Sequence, residues 1–482
     1  MKNSMLSSRL LPLVMALVLV GCASVPQSLP ELAEAPVFKE HGVTPPAGWT
    51  QALPAEAQQR GQWWLVFADP VLDTLVEKAS VDNQSIQAAA ARLAEARALA
   101  RSANAQRLPQ VGLGGGVSRA AGADRATGTQ PATLGNAGLN VAYEVDLFGR
   151  ISQGVDAARL DAEGREALLQ STRLAVQAEV AQTYLQLRAL DDERALMRKT
   201  VDAYRDTLRL SQRREQAGDI AELDVARIQA ELSATESDAL ALDRQRSQME
   251  HALAVLVGDS ASRFDLPGSE WLTALPSIPA GVPSTVLTRR PDISAAQRAV
   301  FAAQLRVGVA KTAWFPNISL TSAAGFAAPD LGDLFKWSAR SWGVGALLSL
   351  PVFDGGRREA GVQSASAQLD AALAAYRQQA LVAFQEVEDQ LSSIRILQEQ
   401  STVQAQAVVA AQRATSLSDT RYRNGYVSQL DLLDARRSEL RNRRQALQVK
   451  SAQYQAAVGL IRSIGGAWDV PGNEVLTQAA LR

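Results

Sequence analysis

"VDLFGRIS" occupies Val145–Ser152 and "VFDGGRRE" occupies Val352–Glu359. Val145 and Val352, Gly149 and Gly356, and Arg150 and Arg357 are each 207 residues apart. Both phrases precede long stretches without proline, so one junction is written twice in register. The same interval relates Trp64 to Trp271, Ile86 to Ile293, Pro109 to Pro316, Glu179 to Glu386, Leu223 to Leu430 and Asp224 to Asp431. Independent loops drift in length, so gap-free spacing marks a duplication. A repeat this long predicts two pseudo-symmetric halves rather than a solenoid. The adjacent glycines are not a phosphate cradle, because the Gly-Lys-Ser/Thr ending is absent.

After the junctions, Ile151–Ala217 and Arg357–Asn424 both run without proline. Each predicts a helix of about 100 Å at 1.5 Å per residue. In the first, Leu169, Val176, Leu190, Met197 and Tyr204 share one seven-residue repeat, with Thr183 as its polar exception. Val180, Leu187, Val201 and Leu208 follow four residues later, with Arg194 as theirs. That spacing predicts left-handed coiled-coil packing. Each long helix ends at a glycine, Gly218 or Gly425, able to adopt the positive φ that reverses the chain. Returning helices are expected over Ala221–Gly258 and Ser428–Gly465, with an earlier one over Ser80–Gln106. Two such short helices, end to end, match one long one.

Before the junctions the period changes to two. In Asn136–Asp146, Ala137, Leu139, Val141, Tyr143 and Val145 alternate with small or polar residues. In Ser341–Val352 one face carries Trp342, Val344, Ala346, Leu348, Leu350 and Val352. Upstream partners are Gln110–Arg119 and Asn317–Gly325, each opened by a proline. Segments of about ten alternating residues fit transmembrane barrel strands. Four strands cannot close a barrel, and unpaired backbone in lipid costs several kcal/mol per group. Chains must therefore pool strands, and a homotrimer would supply twelve. The junction glycines then bend each strand into its helix.

The start of the chain reads as a signal peptide over residues 1–21, with an apolar run Leu10–Val20 too short to span a bilayer as a helix. Leu19-Val20-Gly21-Cys22 resembles the bacterial lipobox, which implies lipidation at Cys22 and, with Ala23 next, outer-membrane sorting. Residues 22–75 are proline-rich and are expected to form a lipidated extended arm. Residues 76–275 and 276–470 form the two repeats, and 471–482 a tail. Net charge is −1 with 21% charged residues, which gives no sign of nucleic acid. Two histidines and a single cysteine exclude a disulfide framework and a Cys/His metal site, and no cofactor is expected. Carboxylates are scattered over helix faces and nucleophiles lack a histidine base, so no enzyme site converges.

The chain resembles TolC-like outer-membrane channels, specifically the lipoprotein outer-membrane factors (NodT/OprM-like) of resistance–nodulation–division pumps. The resemblance rests on "LPSIPAGVPSTVLTRRPDI" at Leu275–Ile293, "VDLFGR", "PVFDGGRR" and "RYRNGYVSQLDLLDARRSEL" at Arg421–Leu440. It implies a mainly α chain with a membrane β-barrel portion: a trimeric twelve-stranded barrel continuing into an α-helical tunnel. It implies an outer-membrane location reaching into the periplasm, with a periplasmic adaptor and an inner-membrane pump as partners. The function implied is a passive exit duct for drugs and other small molecules. A TolC-type exit for protein secretion shares the architecture. A periplasmic coiled-coil scaffold would explain the long helices but not the alternating strands.

Candidate site residues follow. Leu430 and Asp434 lie four apart and share a helix face. The resemblance places the resting constriction there, assisted by polar contacts from Arg421 and Tyr422. Adaptor docking is expected at the turns of Gly218 and Asp219 and of Gly425 and Tyr426, flanked by Arg214 and Arg423. Asp292 in "TRRPDI" is expected to cap a helix start. The lipobox reading has a direct test: Cys22→Ser should abolish acyl labelling, while the barrel keeps the chain in the membrane. Acyl-labelled Cys22→Ser protein would refute it.

Overall fold

A computed structural model describes residues 61–121, 131–276 and 290–466. Cys22, the signal peptide, most of the arm, most of Leu275–Ile293 and the 471–482 tail lie outside them. The chain divides into two compact units. Among the described residues, one comprises those within 91–166 and 295–377, and the other those within 61–90, 167–294 and 378–466.

The first unit holds a four-stranded antiparallel meander, β1 (Gln110–Ala120), β2 (Ala132–Val145), β3 (Asn317–Ala328) and β4 (Arg340–Ser349), in that spatial order. Cross-strand partners share a face. Leu113 pairs with Leu139, Leu139 with Ala324, and Ala324 with Trp342. Val111, Val141, Ser322 and Val344 form the adjacent row of that face. The other face carries Gly112, Asn140, Ala323 and Gly343, then Gly114, Gly138, Gly325 and Ser341. The apolar face is uncovered within the described chain: Leu113 is 82% exposed, and Trp342 and Val344 each 76%. On the small-residue face, a Cβ at Gly138 would lie 2.8 Å from the Ala324 carbonyl oxygen. Glycine is therefore what lets β2 and β3 lie so close. The expected strand limits hold to within a few residues; β2 starts earlier than Asn136, and β4 ends sooner than Val352.

The junctions behave as expected. Gly149, Gly355 and Gly356 adopt φ of +73°, +64° and +89°. Helices α3 (Arg150–Gln216) and α6 (Arg357–Arg423) follow directly. Asp146 accepts from the amides of Ile151 (3.0 Å) and Ser152 (2.7 Å), which caps α3. Asp354 accepts from Gly356 and Arg358 and so does the same for α6.

The second unit contains the remainder of both long helices and their returning partners, α4 (Glu222–Leu256) and α7 (Gln429–Ser463). Every apolar member of the predicted α3 seam from Leu169 to Leu208 is buried, with Val180, Leu187, Met197 and Tyr204 at 0%. Val201, Tyr204 and Leu208 pack with Ile228, Leu232 and Leu433, while Leu190 and Met197 pack with Leu242. Arg194, the polar exception, turns to Asp243 at 2.5 Å.

Three expectations are corrected. Ser80–Gln106 is not one helix: α1 (Pro70–Asp82) and α2 (Gln84–Ala105) meet at Asn83. Helix also begins inside the expected arm, because Asp69 accepts from Val71 and Leu72 while Pro70 occupies the first helical position. Asp292 lies inside the first turn of α5 (Pro291–Thr312) rather than before it. It serves Arg290, which sits at the helix entrance.

Asn83 and Arg290 are equivalent positions of the two halves and do the same work. Asn83 Nδ2 donates to the Leu256 carbonyl at 2.8 Å, and Arg290 donates to the Ser463 carbonyl at 3.0 Å. Leu256 and Ser463 are equivalent too, and close α4 and α7. Each short helix is thus tied at its entrance to the end of a returning helix. Asn83 uses its other amide atom to accept from Ser85 and Ile86. Arg290, buried, bridges Asp292 (2.7 Å) and Glu386 (2.6 Å). Burial acts to raise the Asp292 carboxyl, but the Arg290 hydrogen bond and charge outweigh it and hold it below the usual range. Arg290→Met removes the main partner of two carboxylates, leaving Asp292 to Gln379 and Glu386 to Arg462, and should cost about 1.5–3 kcal/mol. A lowered folded pKa means the stabilisation is present above about pH 4 and lost as pH falls through it. Thermal melts of the full chain in detergent should fall between pH 5 and 3, and Asp292→Asn should flatten that fall; an unchanged slope would exclude Asp292 as its source.

Candidate functional site

The candidate site is the end of the second unit where α3 turns into α4 and α6 into α7. Both turns close identically. Gly218 and Gly425 adopt φ of +80° and +78°. The amides of Asp219 and Tyr426 then reach back to the carbonyls of Arg214 (2.8 Å) and Arg421 (2.9 Å). This is the glycine-terminated helix end that satisfies the last carbonyls. Nothing lies within 4 Å of a Cβ built on either glycine, so backbone conformation alone demands them. Tyr426 is 80% exposed beside its turn.

The start of α7 is fixed by a reciprocal cap. Ser428 Oγ accepts from the Asp431 amide at 3.3 Å, and Asp431 accepts from the Ser428 amide at 3.0 Å. The hydrogen bond from the Ser428 side chain lowers the Asp431 pKa. Gln429, buried, donates to the Asp224 carbonyl at 3.1 Å and so joins the start of α7 to the start of α4. Arg436 adds a bond to Thr207 at 2.7 Å.

This anchoring sets the helix rotation. Leu432 and Leu433 are buried, at 1% and 2%. Leu430 and Asp434 consequently face away from the chain's own packing; Leu430 is 44% exposed and the Asp434 side chain 64%. The structure brings these two together on one free face, as their spacing predicts. Tyr422 is placed differently from a polar gate contact. It is buried, its hydroxyl finds no partner among the described residues, and Arg214 lies 5.7 Å over its ring. Any hydrogen bond from Tyr422 at a constriction must come from outside them. Arg421 is exposed, and Arg423 pairs with Asp419 at 2.8 Å.

Sequence spacing alone does not single out Arg437. Its guanidinium lies 3.6 Å from Asp434 and also binds Glu231. Counting charge along the face that begins at Leu430 would find it, because it follows Asp434 by one helical turn. In the first half, the positions equivalent to Leu430 and Asp434 hold Leu223 and Arg227, so the carboxylate belongs to one half only.

An uncovered apolar sheet face, unpaired outer strand edges and long seamed helices define a protomer of a TolC-like outer-membrane channel. The chain belongs to the outer membrane efflux protein family, whose pattern it matches twice, over residues 75–259 and 282–466. The offset between the two matches equals the interval of the duplication. It is 31% identical over 481 residues to the probable efflux pump outer membrane protein TtgC of Pseudomonas putida, covering 97% of each chain. It is 30% identical over 466 residues to the cation efflux system protein CusC of Escherichia coli, covering 95% of this chain and 99% of that one. Its fold is similar to the solved outer-membrane channel OprN, with a TM-score of 0.81 at 32% identity, covering 88% of this chain and 98% of that one. The protein is thus an outer-membrane component of an efflux pump, a channel extending into the periplasm and a passive duct rather than an enzyme.

Proposed function

We propose that three copies close a twelve-stranded barrel and continue as a helical tunnel, anchored additionally by lipid on Cys22. A periplasmic adaptor docks at the turns of Gly218–Asp219 and Gly425–Tyr426, and an inner-membrane resistance–nodulation–division pump supplies the energy. Small molecules of varied chemistry are the cargo. The observation that carries this reading is the sheet, which among the described residues has four strands, two unpaired outer edges and an exposed apolar face suited to lipid. Its opposite face, mostly glycine, alanine, asparagine, serine and threonine with Glu144 and Leu347 among the exceptions, gives a lumen wall with little preference among solutes.

The resting closure is formed by Leu430 and Asp434. Three carboxylates around a narrow axis repel one another, so that ring cannot hold itself shut. Arg437 offsets part of the charge, and packing among Leu430 side chains supplies the rest. Contacts of this kind are worth on the order of 1 kcal/mol each, a scale an adaptor can overturn. Leu430→Ala with Asp434→Ala should raise single-channel conductance in planar bilayers and weaken cation preference. Conductance and selectivity identical to wild type would move the gate elsewhere.

Bulky residues at Gly218 or Gly425 should block efflux in cells while leaving the oligomer intact, because positive φ is strained for any other residue. Crosslinkers at Asp219 and Tyr426 should capture the adaptor. Efficient efflux with no crosslinked adaptor would reject these turns as the docking surface.

A further inference from the structure

The exposed face of α7 continues beyond the gate residues. Leu430, Asp434, Arg437, Arg441, Gln445 and Gln448 recur at helical spacing and are all exposed. Between side chains of this one helix lies an open surface groove of about 310 Å³, lined by Arg437, Leu440, Arg441, Arg444, Gln445 and Gln448, all of α7. Its wall presents three guanidiniums and two carboxamides, and no carboxylate.

The three arginines are not equivalent. Arg444 is held by Glu193 at 2.6 Å, and Arg437 by Glu231 and Asp434. These two are oriented and largely neutralised from behind. Among the described residues Arg441 has neither an ion pair nor a hydrogen bond, so its charge is uncompensated. The fold does not require this arrangement. On α4, which occupies the equivalent place in the first half, the counterparts of Arg437, Arg441 and Arg444 are Ala230, Ala234 and Ser237. One half packs the same helix without a single arginine at these positions.

Resting on the reading that the Leu430–Asp434 face lines the lumen, we propose that this groove is an anion-binding waypoint just inside the gate. Its ligands are solutes bearing carboxylate or sulfonate groups. Arg441 supplies the free charge, Arg437 and Arg444 supply oriented N–H donors, and Gln445 and Gln448 accept or donate to the polar remainder. Guanidinium pairs with carboxylate through two parallel hydrogen bonds, which favours planar anions over spherical ones. Because two of the three charges are already compensated, retention is weak enough for release. That balance is what a conducting path needs.

The test uses the full-length chain in detergent, with benzene-1,3,5-tricarboxylate as probe and titration calorimetry as readout. Wild type should bind it with an affinity that falls as salt rises. Arg441→Gln should weaken binding about tenfold, the scale of losing one charge-assisted contact, and Arg441→Lys should lie between. Arg441 holds no ion pair or hydrogen bond that the change would break, so the melting temperature should not move. In bilayers Arg441→Gln should shift selectivity toward cations, opposite in sign to the Leu430→Ala, Asp434→Ala pair. Absence of probe binding to wild type, or equal binding by Arg441→Gln, overturns the site. Binding lost with selectivity unmoved overturns its place on the conduction path. A gate pair that behaves as wild type while Arg441→Gln loses the probe would reject the gate and leave the anion site standing.

Discussion

A backbone amide in hydrocarbon has no water to turn to, and the architecture of this chain follows from that constraint. Each strand must be paired on both sides, yet among the described residues β1 and β4 each have only one partner. Completing the outer edges with further copies is what the proposed trimer does. Closure in turn requires one face for lipid and one for the lumen, which the alternation across all four strands provides. Aromatic residues gather at both ends of the sheet. Phe148 stacks on Phe315 at 4.7 Å and Arg358 covers Trp314 where the helices attach. Phe326 meets Phe335, and Arg340 covers Trp337, where β3 turns to β4. Aromatic girdles of this kind mark the two boundaries of a membrane barrel.

Duplication supplies the scaffold twice, and each copy has solved its polar contacts separately. Asn83 and Arg290 tie equivalent helix ends, one with an amide and the other with a charge bridging two carboxylates. The same divergence appears along the long helices. Asp191 binds Arg246 at 2.9 Å, within a buried network that includes Arg188. The equivalent positions hold Gln398 and Gln453, joined by a bond of 3.4 Å. The ion pair is buried and the amide pair exposed, so the two halves use the same positions with different polarity. Polar identity at these sites is therefore a poor guide to the fold, while the spacing is a good one.

That difference explains what the sequence discloses. Periodicity survives without context, so the α3 seam, the strand faces and the glycine-ended helices are all legible to within a few residues. Helix entrances are harder. The Asp69-Pro70 start lies hidden in a proline-rich stretch, since proline reads as a breaker unless the preceding aspartate is seen as its cap. Asn83 interrupts a pattern that is helical on both sides, and its bond to Leu256 together with its cap on Ser85 and Ile86 compensates the break. Spacing pairs Leu430 with Asp434 correctly, but it cannot show that Leu432 and Leu433 turn them outward. Tyr422 on α6 is buried with Arg214 over its ring, a residue that belongs to α3 in the other half of the chain, and no local pattern reports that contact.

The charges on the free face of α7 come in a definite order. Asp434 stands nearest the turn, Arg437 follows one turn on with Glu231 behind it, and Arg441 comes a turn later with no partner among the described residues. These four groups sum to zero, so the face as a whole neither draws nor repels ions strongly. Their sequence nonetheless produces an oriented field, negative at the end of the helix and positive further along. On the reading that this face lines the lumen, a solute crossing it would meet opposite signs within about 10 Å, the rise from Asp434 to Arg441. Such a field lets ions of either sign find one favourable position without a deep well, and salt screens it over a similar distance. A face with alanine and serine at the three arginine positions, as on α4, would give no such relay. A uniformly acidic one would exclude anions from the exit. The alternation of sign suits a duct whose driving force comes from elsewhere and whose own walls must hold nothing for long.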